Sequence, residues 1–286
     1  MGRKEFNMPE KSQSPVTVPW LQKKKEQGEK IVALTAYDFP TAKILDEAGV
    51  DVLLVGDSLG MVVLGYPSTI PVTMDEMIHH TKAVTRGARR ALVVGDMPYF
   101  SFHQGEELTI ANASRFLKEA GARGVKIEGA SPKRLRLIEA MVEAEIPVMG
   151  HVGLTPQSIH HLGRFRVRGG ESLEAKKIMD DAQNAEAAGA FAVILECITE
   201  DLAKKITEKL RVPTIGIGAG SHCDGQILVF HDLVGYLTGF HPKFVKKYAD
   251  LEGVIGESVR RYGDEVRRGV FPDEAHSYQR PSVKKK

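Results

Sequence analysis

Cysteine is scarce: only Cys197 and Cys223 occur in 286 residues. Two lone thiols give neither a disulfide framework nor the paired spacing of a zinc site, which favours a reducing compartment. Long apolar runs are missing as well. None approaches the roughly 18 residues needed to span a bilayer, and the stretch Met1 to Val18 is polar, without the apolar centre of a signal peptide. A soluble, cytoplasmic protein with no membrane partner is expected. An excess of one charge is also lacking, because 39 Lys and Arg nearly cancel 37 Asp and Glu. With no clustered basic patch, no nucleic-acid partner is expected. The basic runs Lys23 to Lys25 and Lys284 to Lys286 read as solvated charge near the two ends.

What is present is an apolar fraction of 42% in a chain long enough for one large domain or two small ones. Short β-branched runs alternate with longer amphipathic stretches. The strand candidates are Ile31–Thr35, Val52–Gly56, Ala91–Gly95, Val125–Glu128, Pro147–Gly150, Ala192–Glu196, Thr214–Gly218 and Gln226–Phe230. They are almost continuously apolar, as parallel strands covered on both faces must be. Between them lie helix signals. Thr73-Met74-Asp75-Glu76 is a capping box, Ser131-Pro132 offers an N-cap followed by proline, and Thr199-Glu200-Asp201 opens a third helix with acids against its dipole. Ala-Gly steps at Gly49, Gly121 and Gly189 mark places where a helix ends and a strand begins. Eight such units predict a closed (β/α)8 barrel. An open doubly wound sheet is the competitor, and it lacks a G-x-G-x-x-G after the first strand. Residues 1–30 are read as an N-terminal extension, 31–272 as the barrel with C-terminal helices, and 273–286 as a tail.

Ionisable residues gather where the apolar runs end: Asp57, Asp96, Glu128, His151 and Glu196. In a barrel these ends share one mouth, where the active sites of this architecture sit. Lys126 and Glu128 are two apart on a strand and so share a face, with Ile127 on the other. Facing inward, they would carry a heavy desolvation cost unless paired or bound to a ligand. Three crowded carboxylates call for a hard divalent cation, and oxygen-only ligation favours Mg2+ over zinc. Such an ion can take both oxygens of a 2-oxo acid and acidify the adjacent C–H.

Plainer readings exist for each residue taken singly. Asp after a strand also serves as an N-cap or turn residue, Lys126 and Glu128 could be a structural pair, and His151 a hydrogen-bonded core histidine. His79-His80 and His160-His161 are adjacent, do not share a helix face, and are read as loop or solvated residues. The glycines of Ile215 to Gly220 could cradle an anion or simply allow close backbone approach.

The blocks Leu34-Thr35-Ala36-Tyr37-Asp38, Val55-Gly56-Asp57-Ser58-Leu59-Gly60, Val125-Lys126-Ile127-Glu128-Gly129, Gly150-His151-Val152-Gly153-Leu154-Thr155-Pro156-Gln157-Ser158 and Ile215-Gly216-Ile217-Gly218-Ala219-Gly220 stand in this order. With Leu195-Glu196-Cys197 and Asp224-Gly225-Gln226, they resemble the ketopantoate hydroxymethyltransferase family from Val18 to about Pro272. The resemblance implies a barrel of the phosphoenolpyruvate mutase/isocitrate lyase-like superfamily. It implies one Mg2+ per subunit on Asp57, Asp96 and Glu128, with Asp57, Ser58, Asp96 and Lys126 contacting the 2-oxo acid and Glu196 accepting a proton. It further implies 5,10-methylenetetrahydrofolate as co-substrate, a homo-decamer, and a place in pantothenate and coenzyme A biosynthesis. The segment Ile159 to Arg166, with Arg164 and Arg166, departs from the family's usual glycine-containing loop. Rival chemistries are a Schiff-base aldolase using Lys126 and a lyase acting on another small 2-oxo acid.

Overall fold

Eight apolar runs become eight parallel strands that close on themselves in chain order. They are β1 (Ile31–Thr35), β2 (Val52–Val55), β3 (Leu92–Asp96), β4 (Gly124–Glu128), β5 (Val148–Gly153), β6 (Ala192–Glu196), β7 (Thr214–Ile217) and β8 (Gly225–Leu228). The last pairs with the first, Ile31 opposite Gly225 and Ala33 opposite Ile227. The computed structural model describes residues 14–163, 166–236 and 242–280. Its contacts divide the chain into Met1–Phe230 and His231–Lys286.

Strand periodicity decides what fills the barrel. The interior cluster takes alternate residues: Ile31 and Ala33, Val52 and Leu54, Leu92 and Val94, Ala192 and Ile194. Side chains two apart point the same way, so the next residue in phase on β3 is Asp96, and on β6 it is Glu196. The same phase on β4 gives Lys126 and Glu128, and on β5 His151 after Met149. An apolar floor thus turns into a charged layer at the C-terminal rim. The outward residues of β2, β3 and β4, among them Leu53, Val93 and Ile127, are buried too. That double burial explains the unbroken apolar runs.

The helices of the first unit are α1 (Val18–Glu26), α2 (Phe39–Glu47), α3 (Leu59–Val62), α4 (Met74–Gly87), α5 (Glu106–Lys118), α6 (Pro132–Glu143), α7 (Ile159–Leu162), α8 (Ser172–Ala187) and α9 (Glu200–Lys209), followed by α10 (Phe230–Leu233) at the boundary. The Thr73 capping box forms on both sides, and Ser131 Oγ accepts from Arg134 N. Thr199 precedes α9 without a side-chain cap. Gly95 lets α5 lie against β3, since a Cβ there would run into the Phe116 ring. The glycines at the end of β7 have packing reasons as well. A Cβ on Gly216 would stand 2.9 Å from Cys223 Sγ, and one on Gly220 would strike Glu200.

Within the Lys23 to Lys25 run, Lys23 is exposed as expected, but Lys24 and Lys25 are not solvated tail charge. The run lies on α1, whose Leu21, with the preceding Val16, belongs to the barrel's apolar cluster. Lys24 Nζ lies 3.1 Å from Asp51 Oδ2 and Lys25 Nζ 2.7 Å from Asp224 Oδ2. Both lysines also donate to carbonyls, of Lys30 and Thr207. The carboxylate partners come from far along the chain, which hides the pairing from local sequence. Lys284 to Lys286 lies outside the described residues.

The second unit carries α11 (Leu251–Arg267), capped by Asp250, whose Oδ1 accepts from Gly253 N. None of its residues is buried. Among the described residues, no helix is long and apolar enough to cross a membrane.

Because Leu21 fills the apolar cluster, Leu21→Ala is expected to lower unfolding free energy by about 2–5 kcal/mol in denaturant titrations. A change near zero would mean that α1 is dispensable to the barrel.

Candidate active site

The charged layer is built from strand ends. Asp96 closes β3 and Lys126 sits opposite it on β4. Lys126 Nζ donates to both oxygens of Asp96, at 2.6 and 2.7 Å, and lies 3.9 Å from Glu128 Oε1. Asp57, at the end of β2, reaches the same group by its backbone, whose N–H donates to Asp96 Oδ2 at 3.2 Å. Its own Oδ2 accepts from Gln157 Nε2 at 2.9 Å. The backbone N–H of Gln157 donates to Glu128 Oε2 at 3.2 Å. One residue after β5 therefore clamps two acids from β2 and β4. Beside Asp57, the Ser58 hydroxyl is held 2.8 Å from that of Tyr37.

His151, opposite Glu128 in the sheet, continues the chain of contacts toward β6. Its Nδ1 is 3.6 Å from Glu128 Oε1 and its Nε2 3.2 Å from Glu196 Oε2. The Glu196 side chain is 19% exposed, against 4% for Glu128. It is the member of the group that a ligand at the mouth can reach. Cys197 follows it with φ 47°, a left-handed conformation that costs a non-glycine residue energy and tends to persist at functional sites. Burial, with the neighbouring Glu196 charge, pushes the Cys197 thiol up to about 12, so it is no thiolate at neutral pH.

Burial governs the acids. It raises Asp57 to about 7, with the Asp96 charge adding to the shift and Lys126 and Gln157 opposing it. Burial also holds Glu128 well above the usual carboxylate range, helped by Asp57, Asp96 and Glu196 against Lys126. For Lys126, burial acts to lower the ammonium, but the charges of Asp96, Glu128 and Asp57 outweigh it and the net shift is upward. One ammonium cannot neutralise three buried carboxyls. Among the described residues no three of these side chains converge as a metal-holding group, and both oxygens of Asp96 accept from Lys126. The donor set itself, carboxylate oxygens short of positive charge, fits a hard divalent cation.

The profile of the ketopantoate hydroxymethyltransferase family matches residues 15–274. The chain belongs to this family. The 3-methyl-2-oxobutanoate hydroxymethyltransferase of Thermoanaerobacter sp. (strain X514) is 57% identical over 258 residues, covering 90% of this chain and 94% of that protein. The enzyme of the same name from Moorella thermoacetica is 55% identical over 266 residues, covering 93% and 98%. This hydroxymethyltransferase family member is thus an enzyme, a transferase. Its fold is shared more widely. A phosphonopyruvate hydrolase solved with oxalate and Mg++ superposes with a TM-score of 0.60 at 15% identity, covering 93% of this chain and 92% of that one. A 2,3-dimethylmalate lyase of the PEP mutase/isocitrate lyase superfamily gives 0.58 at 15% identity, with 91% of each chain covered.

All of Asp57, Ser58, Asp96, Lys126, Glu128, His151 and Glu196 come together at the rim of this hydroxymethyltransferase barrel. Gln157 joins them without having been singled out, since nothing local marks a glutamine whose side-chain partner is 100 positions away. His80 stands apart, its Nδ1 2.7 Å from the Tyr37 carbonyl. Arg164, Phe165 and the side chain of His161 lie outside the described residues, and Arg166 pairs with Glu174.

A carboxyl raised on folding binds its proton more tightly in the folded chain. Its contribution to stability is full below the ordinary value of 3.8 and is lost as pH rises toward about 7. Metal-stripped protein is expected to melt several degrees lower at a pH of about 7.5 than at about 5.5, with Mg2+ restoring the loss. A melting temperature that rises across this window would contradict the assignment.

Proposed function

We propose that the protein transfers a one-carbon unit from 5,10-methylenetetrahydrofolate to 3-methyl-2-oxobutanoate, giving 2-dehydropantoate for pantothenate and coenzyme A biosynthesis. The observation that carries the reading is the buried strand-end cluster of Asp57, Asp96, Lys126 and Glu128, with the more exposed Glu196 beside it on His151.

Asp57, Asp96 and Glu128 would hold one Mg2+, which when bound supplies the Lewis acidity that makes the C–H beside a keto group easier to break. Asp57, Ser58, Asp96 and Lys126 contact and orient the 2-oxo acid, and the Lys126 charge favours the negative charge that develops on its oxygen. Glu196 takes the C3 proton. The resulting carbanion equivalent bonds to the methylene carbon as one of its two C–N bonds breaks. Water then supplies the hydroxyl as the second C–N bond breaks, and the two carrier nitrogens take up the C3 proton and the other proton of the water. His151, packed against Glu196 Oε2, fixes the carboxylate that receives the proton. The Schiff-base alternative needs a neutral Lys126 amine. The two Asp96 contacts and the upward shift of its ammonium work against it.

In this reading the protein is cytoplasmic, consistent with two unpaired cysteines, and assembles as a homo-decamer. Support for assembly comes from α11, where Val254, Val259 and Tyr262 are 61%, 62% and 57% exposed. Sedimentation should return the mass of ten 31.4 kDa chains, and a monomer at micromolar concentration would refute that state.

Glu196→Gln is expected to reduce turnover by about 10²–10⁴-fold and to abolish exchange of the C3 hydrogen into deuterated water. Near-normal exchange in this variant, or full turnover after metal removal, would overturn the mechanism.

A further inference from the structure

A cavity of about 210 Å3 opens beside the charged layer and shares Glu128 and Gln157 with it. Its other walls carry Tyr99, Phe102, His103 and Arg134, none of which the proposed chemistry uses. Arg134, on the first turn of α6, donates through Nε to the Glu128 carbonyl at 2.9 Å and through Nη1 to the Phe102 carbonyl at 3.1 Å. Its Nη2 lies 3.1 Å from His103 Nε2, and its guanidinium carbon stands 4.1 Å from the Phe102 ring centre. Burial, followed by the Arg134 charge, lowers His103, so the imidazole is neutral and can accept. Every acceptor is neutral. Among the described residues Arg134 has no carboxylate within ion-pair distance, and two of its five N–H donors are unused. A partly desolvated guanidinium without a counter-ion is costly unless an anion completes it. Burial brings Arg134 down to about 10, with Glu128 opposing, which leaves it charged at neutral pH.

The rim adds flat apolar surface. Phe100 stacks on His103 at 6° between planes, is 50% exposed, and holds φ at 70°. For a bulky aromatic residue that backbone is a rare outlier of the kind found at ligand clamps. The volume is below the roughly 300–1,000 Å3 of a cleft that takes a whole ligand. One part of a larger molecule fits, its remainder lying over the neighbouring acids.

We propose that this cavity holds the aromatic, carboxylate-bearing end of the one-carbon donor, with Arg134 as its anion anchor. This rests on the donor named in the proposed reaction. In such a donor the benzoyl ring is attached to the nitrogen that carries the methylene, and the carboxylates lie beyond it. A ring against Tyr99, Phe102 and His103 leaves the acid end to Arg134, on the same cavity wall, and the reacting carbon to the neighbouring acids.

The test compares wild type, Arg134→Gln and Arg134→Lys with the full donor and with one whose terminal carboxylates are converted to amides. Arg134→Gln should raise the donor KM on the order of tenfold without changing the KM for the 2-oxo acid, and Lys should restore most of it. On wild type alone the amide donor should bind on the order of tenfold more weakly than the full donor, a comparison that survives if the variant folds poorly. Inorganic phosphate should compete with the donor in wild type. An unchanged donor KM in Arg134→Gln, an equal loss for both donors, or phosphate inhibition that does not compete with the donor would each overturn the proposal. Wild-type exchange of the C3 hydrogen needs no donor, so its absence strikes the reaction instead. Equilibrium binding of tetrahydrofolate to the Arg134 variants would then still decide the cavity.

Discussion

The structure turns on a shortage of positive charge. Asp57, Asp96 and Glu128 are each at most 5% exposed, and among the described residues the Lys or Arg buried with them is Lys126, at 4%. Removing a carboxylate from water costs several kcal/mol even after relaxation, and Lys126 spends its two short contacts on Asp96. Gln157 offsets part of the remainder by donating to both Asp57 and Glu128. The arrangement is held by the barrel against its own repulsion.

What holds it is the apolar packing underneath. Two residues each from β1, β2, β3 and β6, and one each from β5, β7 and β8, form an apolar interior below the charged layer, to which Leu21 of α1 and the preceding Val16 add. A dry floor strengthens every electrostatic interaction above it. It also explains why burial stands first among the causes that raise Asp57 and Glu128. Glu196 lies at the edge of this region with partial access to solvent, and His151 lies between it and Glu128. Exposure is graded across the group, from the inner acids Asp57, Asp96 and Glu128 to Glu196 at the edge.

Much of this was legible before coordinates, because parallel barrel strands must be apolar on both faces. The runs Ile31–Thr35 and Ala192–Glu196 become strands with those bounds, and others shift by one to three residues at an end. The site was legible for a related reason: a charged residue in phase with a buried strand stands out. The roles of α1 and Gln157 were hidden because both depend on partners distant in sequence. Lys24 reaches Asp51 and Lys25 reaches Asp224, so two lysines of a run that reads as solvated clamp α1 to the barrel. Arg134 was hidden in a similar way. Its carbonyl acceptors leave no trace in side-chain identity, and a lone arginine early in a helix is an ordinary surface residue until a cavity is found beside it.

The most direct measurement of the central claim is a calorimetric titration of metal-stripped protein with Mg2+, repeated on Asp57→Asn. Saturation at one ion per chain, lost or strongly weakened in the variant, is the expected result. No saturable binding in wild type, or the same affinity after Asp57 is neutralised, would show that these carboxylates do not share a cation.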